Sequence, residues 1–441
     1  PQLDPCGAER RVTADRFCYG IKRLVLGLAK KALIADQLAL IYARVTAVPA
    51  ATLPAPILVL GYTAFMMQLY FDFSGYSDMA IGIGEFFGIT LPENFDYPYL
   101  ACSIGEYWRR WHISLSGWFR DYVYIPLGGS RCRLRRTCLN LLIVFALAGL
   151  WHGTAWKYLA FGLVHGALLC LEHLGLRALL GQLPKFFQHL CTVVVLWGTL
   201  IIFGAPGLKE GLAVLRGIMS WQTGSKGYTL AAFADTKLLL ILAASFLLCG
   251  PLQALLPKLK AALYARKAPS LPGMAGLLAL LFFGLMRVMA GSYSAFSYFQ
   301  FEGRVQTMRK AVTIAFIGVF CAVIGLSFPV FNVFSKRLSM DRHESRLATG
   351  LPQVLQSPLP QLPRNLDSFL VDNSPFRHQL VLVNAGLDYA LFGTSQSDYV
   401  LPGRDGWLFY KDGPNAAQPM ANYQGLTELN DSAETLAQAS A

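Results

Sequence analysis

Charged residues are scarce. Asp, Glu, Lys and Arg together make up 15% of the 441 residues, while 54% are hydrophobic, against a soluble norm near a quarter charged. That imbalance excludes a water-soluble enzyme. Acidic residues are scarcer than basic ones, 26 against 38, and the formal net charge of +12 sits in short runs between apolar segments. Such runs mark cytoplasmic loops and contacts with anionic membrane lipid, and no nucleic-acid partner is expected. The nine Cys include no C-x-x-C pair and lie mostly in or beside apolar stretches, so they read as small core residues, not as disulfides or metal ligands. No phosphate loop, dinucleotide-binding Gly pattern, G-x-S-x-G elbow or His-Cys metal spacing occurs. The chain opens on Pro1 with no charged-then-apolar secretory leader, and the expectation is that it begins partway into a longer protein.

Long apolar stretches are what the chain has instead. A bilayer core takes ~20 helical residues to cross. Residues 55–71, 139–172 (broken near Trp151 to Lys157), 190–206, 236–256, 271–291 and 311–334 qualify as spans or partial spans. In 16–45 Lys and Arg recur among Leu and Ile, which predicts an amphipathic helix at the interface. From 72 to 130 Gly, Pro, Asn, aromatics and paired charges alternate. Irregular backbone survives at membrane depth only inside protein or beside a water-filled cavity, so this stretch is expected there. The basic runs RCRLRR (131–136) and KLKAALYARK (258–267) should be cytoplasmic. Charge does not orient the last span.

Two of the seven His stand where an idle polar group is costly: His112 in EYWRRWHISLSGWF and His152 in LAGLWHGTAW. An ionisable group inside a membrane usually faces an interior path, and imidazole exchanges protons near neutral pH. Gly149 with Gly153, and Gly162 with Gly166, are small-residue pairs that let helices approach closely. Trp151 could wall a site, whereas Trp156 beside Lys157 reads as an interfacial aromatic. His165 could share a cavity with His152 only if the helix breaks near Gly153. Asp72, Asp78 and Asp121 are expected in a buried network with Arg109, Arg110 or Arg120.

The blocks YFDFSGYSDMAIGIGEFFGITLPENFDYPYL, IGEYWRRWHISLSGWFRDYVYIPLGG and NLLIVFALAGLWHGTAWKYLAFGLVHG closely resemble the membrane-bound O-acyltransferases. The likeness is to the bacterial branch that modifies alginate and teichoic acid, and it runs to about residue 302. The resemblance implies a polytopic all-α membrane fold around a tunnel, lacking the family's early spans, with His152 at the catalytic centre and His112 lining the same tunnel. Around them Arg109 and Asp121 would organise the site, with Trp111, Trp151, His165, Asp72 and Asp78 lining the tunnel or binding substrate. It requires no metal and no bound cofactor, acetyl-CoA or another acyl thioester being the donor substrate.

A Pro-rich linker, GLPQVLQSPLPQLPRN, precedes NLDSFLVDNSPFRHQLVLVNAGLDYALFG and VLPGRDGWLFY, which read as a helix and a strand-turn-strand. These resemble the opening of the extracytoplasmic SGNH-hydrolase-like acetyltransferases. The layout expected is a membrane acyltransferase domain (1–303), an extra membrane helix (304–336), a linker (337–365) and a small incomplete α/β segment (366–441) on the periplasmic side of a bacterial inner membrane. The function expected is transfer of an acyl group, acetyl first, from a cytoplasmic thioester to hydroxyls of an extracellular polysaccharide, alginate-type, beside an extracytoplasmic acetyltransferase partner or domain. Its rivals are a polysaccharide-precursor transporter or flippase, with Asp72, Asp78 and His152 as proton relay, and a membrane anchor for a soluble acetyltransferase. Transporters often show two repeated halves, and the sequence has no internal repeat.

Overall fold

The computed structural model describes residues 12–224, 228–266 and 269–288, together with short pieces at 340–341, 346–347, 365, 369, 377–392, 400–402 and 408–410. The expected span 311–334 and most of the linker lie outside the described residues. Helix α1 (Ala14–Ala29) continues through a π-helical stretch (Lys30–Ala35) into α2 (Asp36–Thr46). Next come the long α3 (Ala55–Phe86), two short helices α4 (Ile104–Arg110) and α5 (Ile113–Phe119), and α6 (Leu134–His152). After these follow α7 (Trp156–Leu171), α8 (Arg177–Leu180), α9 (Lys185–Gly204), α10 (Leu208–Met219), α11 (Leu230–Phe233) and α12 (Thr236–Leu248). The series ends with α13 (Pro251–Leu255), α14 (Pro257–Tyr264), α15 (Leu271–Arg287) and α16 (Arg377–Phe392). Two antiparallel pairs, β1 (Met340–Asp341) with β2 (Arg346–Leu347) and β3 (Val400–Pro402) with β4 (Leu408–Tyr410), complete the described elements. The second pair falls in the segment read as strand-turn-strand.

Among the described residues, four helical stretches are long and apolar enough to cross a membrane: Ala55–Phe86, Leu134–His152, Trp156–Leu180 and Lys185–Gly204. The predicted span 55–71 thus extends to 32 residues, ~48 Å at 1.5 Å per residue, and the break predicted near 151–157 falls between α6 and α7. The expected span 236–256 is corrected: a 13-residue helix and two short ones replace it, because Gly250 at φ 159° turns the chain before Pro251.

The segment 16–45 is also not the interfacial helix expected. It packs along α3 with its polar face inward, burying Lys22, Arg23 and Lys31 while Phe17, Ile21 and Leu40 are exposed. Arg23 and Lys31 are tolerated there because each meets a carboxylate of α3. Helices α1 and α3 run antiparallel as a zipper whose paired residue numbers stay near a constant sum. Arg16 meets Glu85 (2.7 Å), Arg23 meets Asp78, and Lys31 meets Asp72 (2.7 Å). Between the ion pairs Gly20 faces Gly82 and Gly27 faces Gly75, so closely that a Cβ on Gly82 would lie 2.6 Å from the Gly20 carbonyl oxygen.

The π-helical stretch serves the same contact. Its wider turn lets the consecutive Lys30 and Lys31 pair with Asp78 (2.6 Å) and Asp72 (2.7 Å), six residues apart on α3, and Lys31 also holds Asp36 (2.7 Å). Helices α6 and α7 repeat the small-residue device as predicted. A Cβ on Gly149 would strike the Tyr158 carbonyl and one on Gly162 the Phe145 carbonyl. At the far end of the chain Asp388 on α16 accepts from Arg287 on α15 (2.8 and 3.0 Å) and from Lys237 on α12 (3.1 Å).

Candidate functional site

Helix α6 ends where Gly153 takes φ 151°, leaving His152 as its last residue with the ring packed against Trp151, Phe203 and Tyr158 (centroids 4.9, 5.1 and 6.2 Å). Among the described residues no hydrogen bond holds that ring. His112 arrives from another direction, between α4 and α5, in a left-handed conformation (φ 46°) unusual for a residue with a Cβ. The backbone flanks pin it. Asp96 N–H donates to the Arg110 carbonyl (3.0 Å), Ile113 N–H donates to the Asn94 carbonyl (3.0 Å), and Phe95 bridges to Trp111.

These two imidazoles, forty residues apart in sequence, line one narrow cavity of about 40 Å³ with Leu69, Asp72, Phe73, Tyr107, Trp108, Trp111, Phe161, Leu200 and Phe203. The Phe73 ring stands edge-on to His112 at 4.7 Å, and Trp151 lies 5.9 Å from it. Burial, with the neighbouring His152 adding to it, pushes the His112 imidazole down to about 3, so it is neutral at pH 7. The ring of His112 is fixed at Nδ1 by Asn94 Oδ1 at 3.3 Å.

Not every residue singled out in the sequence reaches this cavity. His165 is fully buried one layer behind it, with Trp108 Nε1 donating to its Nδ1 (3.2 Å) and its Nε2 3.0 Å from Thr199 Oγ1. The Thr199 hydroxyl donates to the Leu196 carbonyl (2.8 Å), so the His165 Nε2–H donates to Thr199. This ring is neutral, fully bonded and buttresses Trp108. Asp121 is exposed and pairs with its neighbour Arg120 (2.8 Å), and Arg109 is exposed on α4; neither lines the cavity. Trp111 and Asp72 line it, while Trp151 packs against both catalytic candidates.

Asp78 belongs to a second, wider cavity of about 370 Å³, lined among others by Arg23, Lys30, Ser74, Glu93, Asn94, Phe95, Tyr97 and Tyr264. The buried network is therefore real but drawn differently from the expectation. The partners of Asp72 and Asp78 come from α1 and the π-helical stretch, and Arg110 pairs with Glu106 (2.6 Å). Asn94, which lines the wider cavity and holds His112 of the narrower one, and Phe203 carry no sequence signal that separates them from their neighbours.

A helical membrane domain that folds a pair of imidazoles, one from between two short helices and one from the end of α6, into one cavity is what the chain presents. Residues 7–206 match the family described as MBOAT, membrane-bound O-acyltransferase family. The chain is 43% identical over 218 residues to the probable alginate O-acetylase AlgI of Pseudomonas aeruginosa, covering 48% of this chain and 41% of that protein. It is 39% identical over 215 residues to the peptidoglycan O-acetyltransferase of Helicobacter pylori (48% and 39% covered), and 34% over 167 residues to the teichoic acid D-alanyltransferase of Bacillus subtilis (35% and 41% covered). The chain thus spans about two fifths of the length of these relatives.

Proposed function

We propose that the protein of which this chain is a part transfers an acetyl group from a cytoplasmic thioester, acetyl-CoA, to hydroxyls of an extracellular polysaccharide of the alginate type. The observation that carries the reading is the convergence of His112 and His152 on one cavity. The names of the relatives support O-acyl transfer and a polysaccharide acceptor. The cavity is walled by Phe73, Trp108, Trp111, Phe161 and Phe203, and its small volume favours a two-carbon acyl group over a fatty chain.

In the transfer, the acceptor oxygen attacks the thioester carbonyl as its proton passes to His152. The C–S bond then breaks, and the thiolate leaves and takes up a proton. A thioester is already activated, so the protein has to position it and raise the nucleophilicity of the hydroxyl. Positioned proton transfer contributes ~10² to 10⁴ in rate, and orientation contributes further. His112 is the second polar group that holds a reactant against His152. The acceptor side, an extracytoplasmic acetyltransferase partner or domain, and the inner-membrane setting with a periplasmic C-terminal segment belong to the same proposal.

Sealed inverted vesicles carrying the full-length protein test it. Radiolabelled acetyl-CoA supplied outside should leave acetyl label on a lumenal acceptor while the CoA stays outside. Transport of a precursor with no labelled acceptor would replace this reading with a flippase.

A further inference from the structure

We propose that Asn94 is a positioning residue that locks His112 into one neutral tautomer, so that Nε2 serves acyl transfer as a hydrogen-bond acceptor. The inference rests on the reading above, in which His112 works in the transfer cavity. Its basis is a set of donors converging on a single oxygen. The backbone N–H of Ser114 lies 3.1 Å from Asn94 Oδ1 and the Ser114 hydroxyl 2.9 Å from it. A backbone amide can only donate, so the Asn94 atom facing it is the carbonyl oxygen, not the NH₂. His112 Nδ1 stands 3.3 Å from that same oxygen, and two lone-pair atoms would repel there. Nδ1 therefore carries the hydrogen, and the lone pair of the neutral ring falls on Nε2.

The other end of the amide is tied down as well. Asn94 Nδ2 donates to Ser77 Oγ on α3 at 3.3 Å, and the Asn94 carbonyl receives Ile113 N–H at 3.0 Å. One residue thus fixes the left-handed backbone at His112 through its main chain and the proton position through its side chain. The amide oxygen orients the ring as a carboxylate oxygen would, by accepting from Nδ1–H. The assignment makes His112 Nε2 a hydrogen-bond acceptor toward a reactant held against His152 and excludes it as an oxyanion donor.

The test uses full-length protein in membranes, reading acetyl transfer from radiolabelled acetyl-CoA to polysaccharide at matched protein levels. Asn94→Leu has similar size and accepts no hydrogen bond. It should lower kcat about ten-fold or more, a part of the ~10² to 10⁴ that positioned proton transfer supplies, with KM for the donor unchanged. Asn94→Asp restores the acceptor oxygen and should recover most of the wild-type kcat, a rescue that a purely scaffolding amide would not give. Adding Asn94→Leu to His112→Ala should cost nothing beyond His112→Ala alone. If Asn94→Leu turns over like wild type while His112→Ala is impaired, the positioning role falls and the functional reading stands. Failure of Asn94→Asp to recover kcat overturns the role independently of whether Asn94→Leu folds. Wild-type transfer by His112→Ala sinks the reading of the cavity and this inference with it.

Discussion

Lys31 is the residue on which the α1–α3 zipper can be tested most sharply. Its ammonium is 1% exposed and sits 2.7 Å from Asp36 Oδ1 and 2.7 Å from Asp72 Oδ1, both carboxylates being buried. Lys31→Met keeps the length and apolar stem of the side chain and removes only the charge. Two carboxylates then share a site from which water is excluded, with their common cation gone. Removing one partner of a buried ion pair costs about 3–5 kcal/mol, because the remaining charge keeps its desolvation penalty. At roughly 2–4 °C per kcal/mol for a domain of this size, the apparent Tm should fall by about 6–20 °C. Thermal unfolding of the full-length protein in detergent, followed by size-exclusion fluorescence, measures it. The triple variant Lys31→Met, Asp36→Asn, Asp72→Asn removes all three charges together and should recover much of the loss, since a neutral cluster carries no orphaned ion. Wild-type stability of Lys31→Met, or a triple variant worse than the single one, would refute the argument.

Other consequences can be checked alongside. Gly162→Leu drives a side chain into the Phe145 carbonyl across the α6–α7 contact, and overpacking of this kind costs about 1–3 kcal/mol; the Tm of the same preparation should fall, whereas Gly117→Ala, where a Cβ meets nothing within 4 Å, should leave it unchanged. The depressed His112 gives a pH dependence of fixed sign. Below its ordinary value near 6.5 the unfolded chain binds a proton that the folded site refuses down to about 3, so this contribution to stability is full above pH 6.5 and is lost as pH falls through that window. Melting curves in detergent between pH 7.5 and 4.5 should show the decline, and His112→Gln should flatten it. Cys132 and Cys138 should label from the cytoplasmic side in sealed vesicles, and a thiol at Ser357 from the opposite side; labelling of all three from one face contradicts the proposed layout.

Much of the membrane domain was legible in the sequence because lipid imposes long apolar runs and close helix contacts need small residues. The spans around α3, α6, α7 and α9, the break at Gly153 and the Gly149 and Gly162 contacts follow from those two rules. The reading of 16–45 failed on direction. An amphipathic pattern states that a helix has two faces, not which of them meets protein, and here the lysines and arginines meet α3. The ion-pair partners are likewise set by which face meets α3: Arg109 and Arg110 are nearer in sequence to Asp72 and Asp78, but Arg23, Lys30 and Lys31 are the cations packed against them. Within the site, His112 and His152 could be singled out because imidazole is costly in such surroundings. His165 satisfied the same criterion, yet Trp108 and Thr199 consume both of its nitrogens, a fact that no spacing along α7 reveals. Asn94 was invisible because a polar residue between Pro92 and Pro98 looks like ordinary turn chemistry until its oxygen is seen facing a histidine.

The central claim is that the imidazole of His152 is the base for acyl transfer in the cavity it shares with His112. Its most direct test is the rate of polysaccharide O-acetylation by full-length His152→Ala, inserted in the membrane at wild-type levels, with acetyl-CoA supplied at saturation. The account predicts a fall of at least about 10²-fold in that rate. Acetylation at the wild-type rate would contradict it.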